Sequence, residues 1–194
     1  LRDVCASCRP DRGRDRRDLQ MHFVIWVVDN HAKRLHWGYG YGCHVWLRGP
    51  DSRGEVFLKS GDPRADPGID PRFLSDERDL ELTIKGAKMT RDILEAEPMK
   101  AYKKRELFGV TDNMTDAEWE QHIRSRADTI YHPVGTCKMG TDDMAVVAPA
   151  SMKVHGLEGL RVVDASIMPT LIGGTTNAPT VMIADKSADM ILGV

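Results

Sequence analysis

Long apolar runs are missing from this 194-residue sequence. No stretch approaches the ~20 residues that a membrane-spanning helix needs. An excess of one charge is missing too. Lys and Arg number 27 against 29 Asp and Glu, a net charge of -2, which gives no global reason to expect a nucleic-acid or membrane partner. Cysteine is scarce: Cys5, Cys8, Cys43 and Cys137 are the full set. That is sparse for a disulfide scaffold, and a reducing cytoplasm is the expected compartment. The first residues are polar and Arg-rich with no apolar core behind them, so no signal peptide is read there. What is present is a composition of 41% hydrophobic and 29% charged residues, typical of a globular chain rather than a disordered or fibrous one. The length suffices for one compact domain and part of a second.

Residues 1–17 differ in character from the rest. Arg2, Arg9, Arg12, Arg14, Arg16 and Arg17 crowd a stretch with almost no apolar periodicity. It offers little surface to bury and is expected to be a disordered lead-in. From Leu19 the pattern changes. Met21–Val28 and Cys43–Leu47 are β-prone runs, and a turn over residues 49–54 leads to a short strand, Glu55–Lys59. Runs this close in sequence favour antiparallel pairing. Pro63, Pro67 and Pro71 mark residues 61–71 as a loop. A helix is expected from Ser75 or Asp76 to about Pro98, with Leu80, Ile84, Ala87 and Leu94 near helical spacing. Thr115-Asp116-Ala117-Glu118 is a capping box that opens a second helix toward Ala127. The last third returns to a strand, Leu160–Asp164, a Gly/Thr loop, and a helix from about Ala178 to Leu192. Strands come mostly first and helices later, which predicts an α+β fold: an antiparallel sheet flanked by helices.

Three segments carry chemistry. In Tyr131-His132-Pro133-Val134-Gly135-Thr136, histidine has the unperturbed pKa suited to proton transfer near neutrality. Pro133 restricts His132 to extended backbone, and Gly135 permits close approach of another chain or ligand. Alone, a His before Pro reads more readily as a turn residue. In Gly156–Ser166, Asp164 lies at the carboxyl end of an apolar run, where ligands bind in open α/β sheets; it reads equally as a turn-capping Asp. In Gly173–Ala184, Asn177 is a suitable N-cap with Pro179 tolerated in the first turn. The resulting helix N-terminus offers free N–H groups and a positive dipole end, or is simply a capped helix that packs Val181, Ile183, Ala184 and Ile191.

Taken in order, these segments resemble the C-terminal part of the glucose–methanol–choline (GMC) oxidoreductases, nearest to choline dehydrogenase-like members. The matching stretches are Tyr131–Gly140, Val154–Pro169 and Gly173–Met190. Leu19–Val24, Leu35–Gly38, Ser52–Val56 and Leu58–Pro63 add to them upstream, so the resemblance covers residues 18–194. It implies FAD as cofactor and oxidation of a primary alcohol, choline-like or other, to an aldehyde, with oxygen or a membrane quinone as electron acceptor. His132 matches the active-site histidine that takes the hydroxyl proton. Asn177 matches the second active-site position, which orients the substrate oxygen while hydride passes to flavin N5. Asp164 and Ala165 match the strand end that contacts the flavin chain. Asn177, Ala178, Pro179 and Thr180 match the helix start facing the flavin pyrimidine. Residues 18–150 are then expected to form the substrate-binding domain, and 151–194 a strand and helix of the FAD-binding domain.

One part of the family pattern is missing. No Gly-x-Gly-x-x-Gly turn follows a strand, and Gly38-Tyr-Gly-Tyr-Gly42 has the wrong spacing. The chain is therefore expected to be a fragment that lacks the N-terminal FAD-binding half, and to retain FAD poorly by itself. Residues 1–17, lying outside the resemblance, suggest a reading-frame change or an artificial junction upstream of Asp18. The expected partners are a small alcohol, the N-terminal half and a second copy through exposed apolar surface, with no nucleic acid. Membrane association of the intact enzyme is a further expectation. The alternative is a flavin-free binding or self-associating module without activity. Cys5-Ala-Ser-Cys8 has half-zinc-site spacing with no second half, so no metal site is assigned. Trp26, Trp37, Trp46 and Tyr39 are expected in a sheet core, with a pocket for a cationic head group as the other reading. His36 and His44 are expected to be structural.

Overall fold

The computed structural model describes residues 4–8, 10, 18–30 and 33–193. These form two compact units: residues 1–52 with 73–128, and 53–72 with 129–194. The segment 53–72 thus groups with the C-terminal third. The expected α+β architecture is present, with antiparallel sheets and helices. Among the described residues, no helix is long and apolar enough to cross a membrane.

The first unit is built on a three-stranded antiparallel sheet of β1 (Val4–Cys8), β2 (Leu19–Val24) and β5 (Gly42–Leu47), in that order. The register pairs Leu19 with Cys8 on one side and Leu47 on the other. A strand at Val4–Cys8 corrects the expected disordered lead-in for those five residues. An edge strand gains its hydrogen bonds from the neighbouring backbone, so it can form despite a weak apolar pattern. The Arg-rich positions Arg2, Arg9, Arg12, Arg14, Arg16 and Arg17 lie outside the described residues. The expected run Met21–Val28 is interrupted at Ile25-Trp26. After the bend, β3 (Val28–Asp29) pairs with β4 (Arg34–Leu35) as a small hairpin.

Helix α1 (Glu77–Leu94) packs on β2 and β5. The packing is tight at Gly86, where an added Cβ would lie 2.8 Å from Val45 Cγ2 and 3.0 Å from Leu19 Cδ1. Asp76 caps the helix as expected, accepting from Arg78 N–H at 3.0 Å. Asp79, 1% exposed, accepts from the N–H groups of Asp51 and Ser52 at 2.9 and 2.7 Å. A buried carboxylate is costly unless its oxygens are satisfied, and here both oxygens accept backbone bonds. Helix α1 ends at Leu94, ahead of Pro98, which instead opens the short helix α2 (Glu97–Lys100), where its missing N–H costs nothing. Helix α3 (Asp116–Arg126) carries the full capping box at Thr115 and Glu118 and buries Trp119 and Ile123.

The β3–β4 hairpin is clasped to the end of α3. The buried Asp29 carboxylate accepts from Arg126 Nη2 at 2.8 Å and lies 3.1 Å from His36 Nε2. The Arg126 guanidinium stacks over the Phe108 ring at 4.0 Å. His36 is thus structural, as expected. Trp26, Trp37 and Tyr39 are exposed, against the expectation of a sheet core. Trp26 lies in the bend and Trp37 and Tyr39 lie beyond the hairpin, where no second layer covers them among the described residues. Trp46 alone is half-buried, its ring edge-on to His22.

In the second unit β6 (Glu55–Phe57) pairs with β7 (Gly68–Asp70), a strand inside the expected loop. Gly68 allows it, because an added Cβ would sit 2.3 Å from the Phe57 ring. Leu160–Asp164 is not a laddered strand. A single antiparallel bridge joins Arg161 to Lys153. A parallel strand is stabilised by neighbours on both sides, and none flanks it among the described residues. Helix α4 (Asn177–Leu192) ends the chain with Gly193 left-handed at its C-terminus.

Two outcomes follow. Replacing Gly86 by Val should destabilise the first unit by roughly 1–3 kcal/mol through overpacking against Val45 and Leu19, measured by urea unfolding. His36 first, and Arg126 with it, holds the Asp29 carboxyl below the usual carboxylate range. A lowered folded pKa stabilises above the unfolded value of about 3.9 and is lost as pH falls through the folded one. Hydrogen exchange should therefore show the hairpin loosening only below about pH 4, while Asp29→Asn loosens it at neutral pH.

Candidate functional site

All three chemistry-bearing segments lie in the second unit, and one small core ties them together. Val147, Met152 and Ile167 are buried, and Cys137, Met139, Val162, Val163 and Ile183 pack against them. Cys137 and Met139 belong to the His132 segment, Val162, Val163 and Ile167 flank Asp164, and Ile183 is on α4. Backbone bonds reinforce the packing. Cys137 N–H donates to Ser166 O at 3.0 Å, and Met139 N–H to Ile167 O at 2.8 Å. Gly135, at φ +89°, lets the chain pass Met168 closely: an added Cβ would lie 3.3 Å from its carbonyl oxygen.

His132 is exposed and stands between two backbone constraints. Pro133 follows it and disfavours helical backbone at His132. Tyr131 precedes it at φ +65°, left-handed for a non-glycine residue, with its N–H donating to Thr129 Oγ1 at 2.9 Å. That conformation costs about 1–2 kcal/mol. Pattern reading missed this feature, since neither Tyr nor Thr signals positive φ.

Asp164 takes the capping role that the sequence left open. Its Oδ1 accepts from Ser166 N–H at 2.7 Å and from the Ser166 hydroxyl, capping a 3-10 turn over Ala165–Ile167. Its carboxylate is thus engaged locally, while Ala165 is half-buried in the turn. Helix α4 begins one residue earlier than expected: Thr176, buried, is the N-cap and Asn177 is the first helical residue. Thr180 returns both its N–H and its hydroxyl to Thr176 O, at 3.0 and 2.7 Å. No side chain caps the helix, so the N–H groups of Asn177 and Ala178 have no intrahelical partner, and Pro179 has none to offer. Asn177 and Ala178 are exposed, Pro179 and Thr180 half-buried.

The structure therefore brings the three segments onto one framework without a direct bond between His132 and Asn177. Among the described residues, no hydrogen bond engages either side chain. Beside the motif, Lys138 Nζ donates to Asp142 at 2.8 Å and holds that carboxyl below its usual range.

Among the described residues, one acidic group has metal-ligand spacing, and it lies in the first unit. All four cysteines are free thiols. The acidic group Asp51, Asp76 and Asp79 places oxygens within 4.8 Å of one another among the described residues. Those oxygens serve the first unit: Asp79 accepts from backbone, Asp76 caps α1, and Asp51 pairs with Arg78.

Comparison with known proteins gives the class. The family model described as GMC oxidoreductase matches residues 50–184. An alcohol dehydrogenase [acceptor] of Pseudomonas putida is 48% identical over 179 residues, covering 92% of this chain and 32% of that protein. An oxygen-dependent choline dehydrogenase of Klebsiella pneumoniae (strain 342) is 43% identical, covering 91% of this chain and 32% of that one. Among solved structures, pyridoxine 4-oxidase from Mesorbium loti superposes with TM-score 0.86 at 29% identity, over 98% of this chain and 38% of that one. A formate oxidase of Aspergillus oryzae RIB40, studied for FAD modification, gives TM-score 0.82 at 28% identity, over 95% and 33%. The chain belongs to the GMC oxidoreductase family. It spans about a third of the length of the curated relatives it matches, and its fold matches the substrate-binding part of the solved GMC structures.

The shared core yields a direct expectation. Ile167, 1% exposed, touches the framework of all three segments. Ile167→Ala should destabilise the second unit by about 2–5 kcal/mol and raise amide exchange at Cys137 and Met139 together, measured by hydrogen-exchange mass spectrometry.

Proposed function

We propose that this chain is the alcohol-handling part of a longer FAD-dependent dehydrogenase or oxidase, in which His132 and Asn177 work on one substrate oxygen. The observation that carries the reading is the single core beneath the His132, Asp164 and α4 segments. It fixes the bases of the segments and leaves His132 and Asn177 facing outward.

The residues present fit a flavin edge. The first turn of α4 presents uncapped N–H groups at Asn177 and Ala178, donors with a positive dipole end. Asn177, Ala178, Pro179 and Thr180 would hold the pyrimidine side, with Asp164 and Ala165 along the flavin chain. Ser166 engages Oδ1 of Asp164, which leaves Oδ2 and the backbone of that turn to make the contact. Bound FAD would supply the hydride acceptor.

His132 would accept the hydroxyl proton of a primary alcohol on a ring nitrogen. Removing it raises electron density on the carbinol carbon and favours hydride loss to give an aldehyde. The Asn177 amide would donate to the same oxygen, stabilising the developing negative charge and fixing which hydrogen is presented. Choline-like and other primary alcohols both suit this chemistry. A reducing cytoplasmic setting is proposed from the sparse cysteine content alone.

A second reading has its own observation. Val181, Met182, Ile191 and Leu192 of α4 are exposed, apolar surface that favours association when left uncovered. In that reading the isolated chain self-associates, inactive and without flavin.

Two substitutions in the full-length polypeptide test the proposal. His132→Ala should lower kcat by about 10²–10⁴, and Asn177→Ala by about 10²–10³, both with FAD absorbance retained. Full turnover in His132→Ala would contradict the assignment. The isolated chain should purify without a flavin band.

A further inference from the structure

The geometry points to Thr129 and Tyr131 as a positioning device for His132, one that acts through the backbone. The inference rests on the proposal that His132 handles the substrate proton. Thr129 Oγ1 accepts from Tyr131 N–H at 2.9 Å, and Tyr131 sits at φ +65°. A left-handed residue turns the chain sharply, so its conformation sets the direction in which the next residue leaves. Side-chain acceptors two residues back stabilise such turns. The same unit repeats the device at Arg72, φ +47°, whose N–H donates to Asp70 Oδ1 at 3.2 Å.

Packing does not explain the strain. Tyr131 is 65% exposed, so its side chain is not driven into a core that would compensate for an unfavourable backbone. Strained residues persist where the surrounding structure over-determines them, and they cluster at functional sites. The far end of the loop is fixed independently, by Cys137 N–H on Ser166 O and Met139 N–H on Ile167 O. His132 therefore lies on a short span held at both ends, with Pro133 restricting its own backbone. Releasing the Thr129 hook would let Tyr131 return to the ordinary β or α region and re-aim His132, with the core beneath unchanged.

Heteronuclear NMR of the 194-residue chain tests this without flavin or turnover. In the native chain Tyr131 should show the Cα and Cβ shifts of a left-handed residue, and its amide should exchange about tenfold more slowly than that of His132. Thr129→Val, isosteric but without the acceptor, should abolish the left-handed shifts and move or broaden the His132 ring signals. Thr129→Ser should restore both. Tyr131→Gly, which tolerates positive φ, should keep the His132 signals near native. Retention of the left-handed shifts in Thr129→Val would overturn the inference, as would a Tyr131 amide that exchanges as fast as that of His132. The latter measurement needs no variant and stands even if Thr129→Val fails to fold. If His132→Ala spares turnover in the full-length polypeptide while Thr129→Val still releases Tyr131, the functional reading fails and the positioning device stands.

Discussion

The candidate site depends on three buried side chains. Val147, Ile167 and Met152 form a small core that receives apolar residues from each of the three candidate segments. Backbone bonds from Cys137 and Met139 to the turn at Ser166 and Ile167 align two of the segments, and Ile183 docks the third. This arrangement separates two tasks. Apolar residues elsewhere in the same segments, Met139, Val163 and Ile183 among them, do the holding, while His132, Asp164 and Asn177 stay exposed. Changing His132 or Asn177 leaves that core in place, because neither side chain is part of it.

Carboxylates organise the first unit in a comparable way. Asp79 joins the start of α1 to the chain leaving β5, Asp76 caps that helix, and Asp29 clasps a hairpin to α3. Each is satisfied by backbone N–H groups or by a cation, as a shielded carboxylate must be. The grouping of Asp51, Asp76 and Asp79 looks like a cation site from spacing alone. It is the meeting point of a cap, a backbone anchor and an ion pair with Arg78.

Local chemistry was legible in the sequence where local rules decide the outcome. The capping box at Thr115, the Asp76 cap and helix α1 formed as their residue patterns require. Long-range pairing was not legible in the same way. Strands β1 and β7 have weak patterns and exist because a partner edge lies beside them. Leu160–Asp164 has a strong pattern and no ladder, since its pattern suits neighbours that these residues do not supply. The site was visible chiefly through family resemblance: taken singly, His132, Asp164 and Asn177 each suited a plain structural role. Asp164 indeed caps a turn, and the helix cap fell to Thr176 rather than Asn177. The strain at Tyr131 left no compositional trace, because it arises from a side-chain hook and a loop anchored elsewhere.

The central claim is that the three segments share one framework that exists without flavin. Methyl NOE spectroscopy of the isolated, flavin-free chain tests it most directly. Contacts from the Ile183 methyls to those of Ile167 and Val163, together with contacts from Met139 to Val147, are the predicted result. Resolved methyl signals without those contacts, the three segments moving independently until FAD is added, would contradict it.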